Sequence, residues 1–509
     1  MYRNGVLPTG ELLSGIVQGD IALSGGQVIC GACHRRSGLG SKEGQEVVPA
    51  VTGDILYEVL RLPTSKPPLA PMQRPAYTDE TLKRAIQAGI GADGKPLSPL
   101  MPRYALPEQD LDSLIAYLKT LNADPDPGVG EHEIHFATVL ADSVDPAARK
   151  AFLDVFDTFI AQKNAETRHE THRAEHAPWH KQWVFGPYRK WALHVWELKG
   201  PPSSWRQQLE AQYAQQPVFA VLSGLAPGDW KPVHAFCEAN ELPCLFPVTD
   251  LPVVEESDFY TVYFSRGMRL EADTIARHLS DDGLLSEPVV QVYRADDGRA
   301  RTAADELRQQ LSQRGALVTD MAVVGTKALG EEFWRAISRQ KAGGTLVLWL
   351  GRSDADTAWA HTAADGVGRL YLSTTLYGVE PGKIPKALRE QVYFVHPQEL
   401  PAKLPRLLAR STGWFKAKRI YDSDAQEAQA AAYFALKMAG GALAQMRGFF
   451  VREYMLERVE HMVDLAAYTS VYPRVRLAPG QRFVSRAAYI AKPAPDGRGL
   501  VAVTEWRVP

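Results

Sequence analysis

Cys30-Gly31-Ala32-Cys33-His34 decides the reading of this chain. Two cysteines three positions apart are spaced for thioether bonds to the two vinyl groups of one haem. The histidine that follows at once is then held against the iron as an axial ligand. Two other uses of such a pair compete with this one. Zinc takes four ligands, and no second C-x-x-C occurs in the 509 residues. A thioredoxin-like redox pair opens a helix after a strand in a βαβ unit, and no such pattern surrounds Cys30.

A second stretch supports haem. Gly91-Ala92-Asp93-Gly94-Lys95-Pro96-Leu97-Ser98-Pro99-Leu100-Met101-Pro102-Arg103-Tyr104 resembles the sixth-ligand loop of class I cytochromes c, where a methionine just before a proline folds over the other haem face. The segment that follows, Leu106 to Leu118, sets Leu111, Leu114, Ile115 and Leu118 at helical spacing with carboxylates in the first turn. It is similar to the C-terminal helix of that family, which packs across the N-terminal one. The resemblance implies one covalent haem c on Cys30 and Cys33, with His34 and Met101 as axial ligands. Met72, in Pro71-Met72-Gln73-Arg74-Pro75, is the rival sixth ligand. A thioether raises the haem potential, and a His/Met pair fills both axial positions, which suits electron transfer and leaves no place on the iron for a substrate.

Covalent haem attachment occurs outside the bacterial cytoplasm, so the expected location is the periplasm. Residues 1–25 hold no apolar signal core, because Asn4, Thr9, Glu11, Gln18 and Asp20 interrupt every candidate. The expectation is a mature form from which a signal peptide has been removed. No run approaches eighteen apolar residues, so no membrane span is expected. The formal charge is −2 with both signs interspersed, which leaves no electrostatic footprint for nucleic acid.

The chain is far longer than the hundred or so residues a cytochrome c needs, and it predicts more than one domain. Asn122-Ala123-Asp124-Pro125-Asp126-Pro127-Gly128-Val129-Gly130 reads as a linker. Beyond it the pattern alternates. Strands are expected at 135–140, 192–198, 218–223 and 244–247, with helices at 146–163, 203–215 and 232–240 between them. The rhythm resumes with strands 289–293, 316–323 and 345–350 and helices 303–314 and 331–340. This is the signature of parallel sheets covered on both faces, in two lobes. The predicted organisation is a small all-α domain over 1–122, a linker over 123–131, and a two-lobed α/β domain over 132–509. One lobe takes about 132–255 plus part of 376–470, the other 256–375 plus the C-terminal segment.

Val218-Phe219-Ala220-Val221-Leu222-Ser223-Gly224, then Val233 to Pro243, resembles a recurrent unit of type I periplasmic binding proteins, the branched-chain amino-acid receptor type. Val289 to Gly298 with Gly315-Ala316-Leu317-Val318 is similar to the opening of their second lobe. The resemblance implies a ligand between the lobes, at the carboxyl ends of the strands. It places Ser223, Gly224 and Thr249 as first-lobe contacts, and Asp296, Asp297, Ser353 and Thr375 as second-lobe candidates. The acid that such receptors offer an ammonium falls near Thr374 or Thr375, leaving Asp296 or Asp297 to supply it. A helix cap or turn is the alternative use of each of these residues.

Two further features stand out. Arg168 to Arg189 carries His169, His172, His176 and His180 among tryptophans and arginines. On a helix the first three share a face, which permits a metal site, an anion or aromatic contact, or a plain charged surface. Cys237 and Cys244 are a candidate disulfide in an oxidising compartment, with a buried thiol pair as the alternative. The functional expectation is an exported one-electron carrier fused to a module that binds a small anionic or amino-acid-like ligand or a partner. It would work beside a periplasmic redox partner in a respiratory or dehydrogenase chain, as an electron-transfer and binding protein rather than a catalyst. The alternatives are a solute receptor of an ABC-type importer with an accessory cytochrome, and an oxidoreductase passing electrons from a cleft-bound substrate to the haem.

Overall fold

A computed structural model of the chain describes all residues except 44–45, 63–71, 177–188, 254, 256, 326–328, 341–343, 360, 362–367, 447, 465–468, 479, 507 and 509. For 42–43, 46, 61–62, 72–73, 167–176 and 338–340 it describes the backbone alone. The chain divides into two units. One is Met1–Asp126 with Leu443–Arg458, and the other is Pro127–Ala442 with Val459–Pro509.

In the first unit, the helix Asp79–Ala88 starts at Thr78, whose side chain and that of Thr81 cap each other's backbone N–H groups. It buries Leu82, Ala85 and Ile86. The helix Glu108–Thr120 buries Leu111, Leu114, Ile115 and Leu118, the four positions that the spacing selected. Both close on a core that includes Tyr2, Val28, Tyr77 and Tyr104. The C-terminal helix does not cross a long N-terminal one. Glycines at 5, 10, 15, 19, 25 and 26 disfavour helix there, and the chain forms the antiparallel pair Ser14–Val17 and Ile21–Ser24 instead. The cysteine-bearing helix is only Cys30–His34, and Glu108–Thr120 packs on Gly53–Leu56 and Asp79–Ala88.

This unit extends beyond 1–122. Glu453 accepts from Arg3 at 3.1 Å and from Arg36 at 2.7 Å, and Glu457 accepts from the N–H and Oγ of Ser37 at 2.8 and 2.7 Å. Those bonds explain why Leu443–Arg458 groups with the first unit, although the sequence placed it in the second domain.

The second unit holds two sheets. The first is parallel throughout, in the order Thr261–Val262, Cys244–Leu245, Ala220–Leu225, Glu133–Ala141, Lys190–Leu198. The second runs Val318–Val323, Val289–Arg294, Thr345–Trp349, Arg369–Ser373, Val392–His396, then the antiparallel strands Tyr489–Pro493 and Leu500–Ala502. Central strands such as Thr345–Trp349 are buried at every position, which is why they read as unbroken apolar runs rather than alternations. Two boundaries move. Thr261–Val262 pairs in the first sheet, beyond the lobe edge expected at 255, and Val392–His396 belongs to the second, beyond 375. Among the described residues no helix is long and apolar enough to cross a membrane.

Candidate functional site

The attachment motif forms one helical turn. Arg35 ends it in the left-handed region at φ 65°, and the chain doubles back so that the Gly40 N–H meets the His34 carbonyl at 3.0 Å. Gly40 must be glycine: its φ is 78°, and a Cβ there would stand 2.2 Å from the Val48 carbonyl oxygen. This turn brings Pro49 to His34, whose Nδ1 lies 2.8 Å from the Pro49 carbonyl. A carbonyl only accepts, so Nδ1 carries the proton and Nε2 keeps its lone pair. Metal-ligating histidines are oriented by such a backbone bond. Burial also pushes the imidazole below its ordinary range, toward the neutral form that ligates. Cys30 is half-buried beside the Tyr104 hydroxyl, which donates to Val28 at 2.6 Å, while Cys33 is exposed.

The Met101 loop is held by Arg103. Its guanidinium donates to the carbonyls of Leu97 at 3.2 Å, Ser98 at 3.1 Å and Met101. Its backbone pairs with Ile16 in both directions at 2.9 Å. Gly89, the left-handed end of the preceding helix, makes room for that guanidinium, since a Cβ would lie 1.8 Å from Arg103 Nε. The donor set therefore fits a covalently bound haem: two thiols on one turn, an imidazole with its tautomer fixed, and a half-buried thioether on a braced loop. Met72 sits on the strand Met72–Arg74, and its side chain lies outside the described residues.

In the second unit a cavity of about 170 Å³ opens at the carboxyl ends of strands from both sheets. Thr249 and Asp250 follow the strand Cys244–Leu245, and Thr375 and Gln398 follow strands of the second sheet. Glu427 enters from the helix Gln426–Met446, and Phe264 and Tyr472 stack at 5.5 Å on the wall. Behind Thr375 lies Glu271, fully buried on the helix Met268–Asp281, which accepts from the Thr375 hydroxyl. Burial raises its carboxyl to about 8, offset in part by the hydroxyls of Ser373 and Thr375 and reinforced by the charge of Asp250. Burial and then Asp250 raise Glu427 to about 7, and Gln398 pulls the other way. Glu427 keeps exposed surface, but that surface is the wall of the cavity, so protein hems the carboxylate in. Asp250 itself is raised by burial despite Arg299 at 3.3 Å.

A family model, Cytochrome c, matches residues 27–122. Residues 27–122 are a cytochrome c domain. No curated protein matches the chain. Solved structures show the fold of the rest, a two-sheet α/β body of type I periplasmic-binding-protein form. A branched chain amino acid ABC transporter from Thermus thermophilus with bound valine is 12% identical, with a TM-score of 0.52 over 75% of this chain and 98% of its own. A fatty acid ABC transporter substrate-binding protein from Thermomonospora curvata is 15% identical, with a TM-score of 0.50 over 76% and 95%. A leucine binding protein from Thermotoga maritima is 11% identical, with a TM-score of 0.50 over 72% and 97%.

Within the binding-protein fold, Thr249 and Thr375 line the cavity and the other expected contacts do not. The strand expected to stop at Ser223 runs on to Leu225 through a register shift against Ala137–Val139, with Ser223 at φ 54°. That bulge buries Ser223, whose hydroxyl donates to Phe246 O at 3.0 Å, and turns Gly224 against Trp230. Asp297 caps the helix Gly298–Gln313 and pairs with Arg299 at 3.1 Å. Asp296 is an exposed turn residue, and Ser353 is exposed in the first turn of Arg352–Trp359.

Cys237 and Cys244 are buried in the core of the first sheet and are not joined to each other, so the candidate disulfide gives way to its alternative of two packed thiols. The long helix Pro146–His176 carries His169, His172 and His176, but their side chains and all of His180 lie outside the described residues. Among the described residues, His234, Glu238 and Asp258 converge closely enough for a cation. Glu238, however, already accepts the N–H groups of Phe259, Tyr260 and Thr261 at 2.8–3.2 Å, which makes it a clamp on that loop.

Sequence reasoning missed Arg103 and Pro49 on the cytochrome side and Asp250, Glu271 and Glu427 in the cleft. Helical periodicity in 268–281 was the available signal for Glu271. Nothing local marks Asp250 or Glu427.

Proposed function

We propose that this chain is an exported one-electron carrier, with one covalent haem c bound to Cys30 and Cys33 and ligated by His34 and Met101. Its second module binds a small molecule in the cleft between the two sheets, and the whole serves a periplasmic respiratory or dehydrogenase electron-transfer chain beside a redox partner protein. The observation that carries this reading is the His34 Nδ1–Pro49 bond together with the Arg103-braced Met101 loop. This chain's residues orient the imidazole, fix its tautomer and brace the loop that carries the thioether. A haem bound there supplies a one-electron couple at the raised potential that thioether ligation gives.

The test is expression with haem-attachment machinery, followed by denaturation and extraction. Haem that stays with the polypeptide supports the reading, and haem that extracts freely contradicts it. The alternative of an importer receptor with an accessory cytochrome draws on the fold of the second unit. It is favoured if ligand affinity is the same in the oxidised and reduced states and an importer depends on this chain.

A further inference from the structure

The charges around the cleft are unbalanced in one direction. Asp250 and Glu427 line the cavity, and Glu271 stands behind Thr375, which lines it. Glu271 is 0% exposed, and its buried Oε2 has no hydrogen-bond partner among the described residues. Against these three carboxylates stands the guanidinium of Arg299, which Asp250 shares with Asp297. No lysine, arginine or histidine is among the described residues that line the cavity. Burial displaces all three upward, and the charge of Asp250 adds to it at Glu271 and Glu427, while Arg299 pulls Asp250 the other way.

The first-lobe contacts expected for a ligand carboxylate are otherwise engaged. Ser223 and Gly224 are in the core, the Thr249 hydroxyl donates to Gly228 O at 2.9 Å, and the N-terminal turn of Met268–Asp281, which begins at the cavity, already carries Glu271. Phe264 and Tyr472, stacked on each other, line the same space and give the apolar part of a ligand a surface to pack on. A cavity of about 170 Å³ is roomier than a bare metal ion needs and suits a small organic molecule.

Building on the reading of this cleft as a small-molecule site, we propose that its ligand is a small organic ammonium ion without a carboxylate, recognised by Asp250, Glu427 and the Glu271–Thr375 pair. The acid that the sequence lacks at 374–375 is thus delivered from another helix, through the hydroxyl of Thr375. The ligand's ammonium neutralises the set, and its apolar part lies against the ring pair.

The experiment is isothermal titration of the full-length haem-bearing protein with three probes sharing one branched skeleton: isoamylamine, leucine and 4-methylpentanoate. Isoamylamine is expected to bind at least about tenfold more tightly than leucine, with 4-methylpentanoate silent. Glu427→Gln should weaken isoamylamine about tenfold, and Asp157→Asn, on the helix Pro146–His176 and not in the cavity lining, should not. An unchanged haem spectrum and thermal transition show that both variants fold. Preference for leucine or 4-methylpentanoate overturns the ammonium assignment and leaves the cleft as a ligand site. Silence from all three probes overturns the assignment and the small-molecule reading together. Full affinity in Glu427→Gln overturns the assignment of the carboxylate.

Discussion

Arg103 does for the methionine loop what Pro49 does for His34, holding a ligand-bearing segment through main-chain carbonyls. Charge-assisted bonds of this kind contribute about 1.5–3 kcal/mol each to the groups they hold. Arg103→Ala should therefore leave haem attached and weaken the hold on Met101. Added imidazole should then bind at least about tenfold more tightly than to the parent, seen as loss of the iron–methionine charge-transfer band. Equal imidazole affinity would remove Arg103 from this role.

Glu271 carries the second prediction at this scale. Its folded-state pKa of about 8 lies above the ordinary carboxylate value of 4.5. Stability from the protonated form is complete below about 4.5 and is lost as pH rises through about 8, and Glu427 acts in the same sense up to about 7. Glu271→Gln should stay within about 1 kcal/mol of the ligand-free parent near pH 5 and exceed it by about 3–5 kcal/mol near pH 9 in denaturant melts. Parallel curves for the two proteins would show that Glu271 ionises freely in the folded state.

At the scale of elements, the strand Ala220–Leu225 decides which residues reach the cleft. Gly224→Ala would put a Cβ 2.7 Å from the Trp230 ring and 2.9 Å from the Val139 carbonyl. It should cost about 2–4 kcal/mol by melting. Ser353→Ala should cost nothing and leave cleft binding intact. A tolerated Gly224→Ala would mean that the bulge yields.

The helix 108–120 and the parallel strands up to 225 and from 289 to 349 were legible because burial on one face, or on both, leaves a periodic trace in the residues themselves, whereas the parallel strands 261–262, 369–373 and 392–396 were not read. Cys30, Cys33, His34 and the Met101 loop could be nominated from the sequence because each motif is local. The bulge at Ser223 was not, because an extra residue in a strand keeps the composition and changes only the pairing partner. The cleft carboxylates were hidden for a related reason: Asp250, Glu271 and Glu427 come from three separate segments, and only the fold makes them neighbours.

For the molecule as a whole, the first unit closes with a segment more than three hundred residues away in sequence, Leu443–Arg458. Glu457, buried there, receives two bonds from Ser37, just beyond the attachment turn. Glu457→Ala should lower the stability of the cytochrome unit by about 1–3 kcal/mol, read from the haem band during denaturation. An unaltered midpoint would mean that 1–126 is sufficient alone.

The most direct test of the central claim is a redox titration of the full-length protein, followed by visible spectroscopy, beside Met101→Ala. The parent is predicted to give a single one-electron wave with a c-type reduced spectrum and an iron–methionine band. Met101→Ala is predicted to lose that band and to titrate at a lower potential. A band and potential that survive in Met101→Ala would contradict His34/Met101 ligation, and a preparation without covalent haem would contradict the account as a whole.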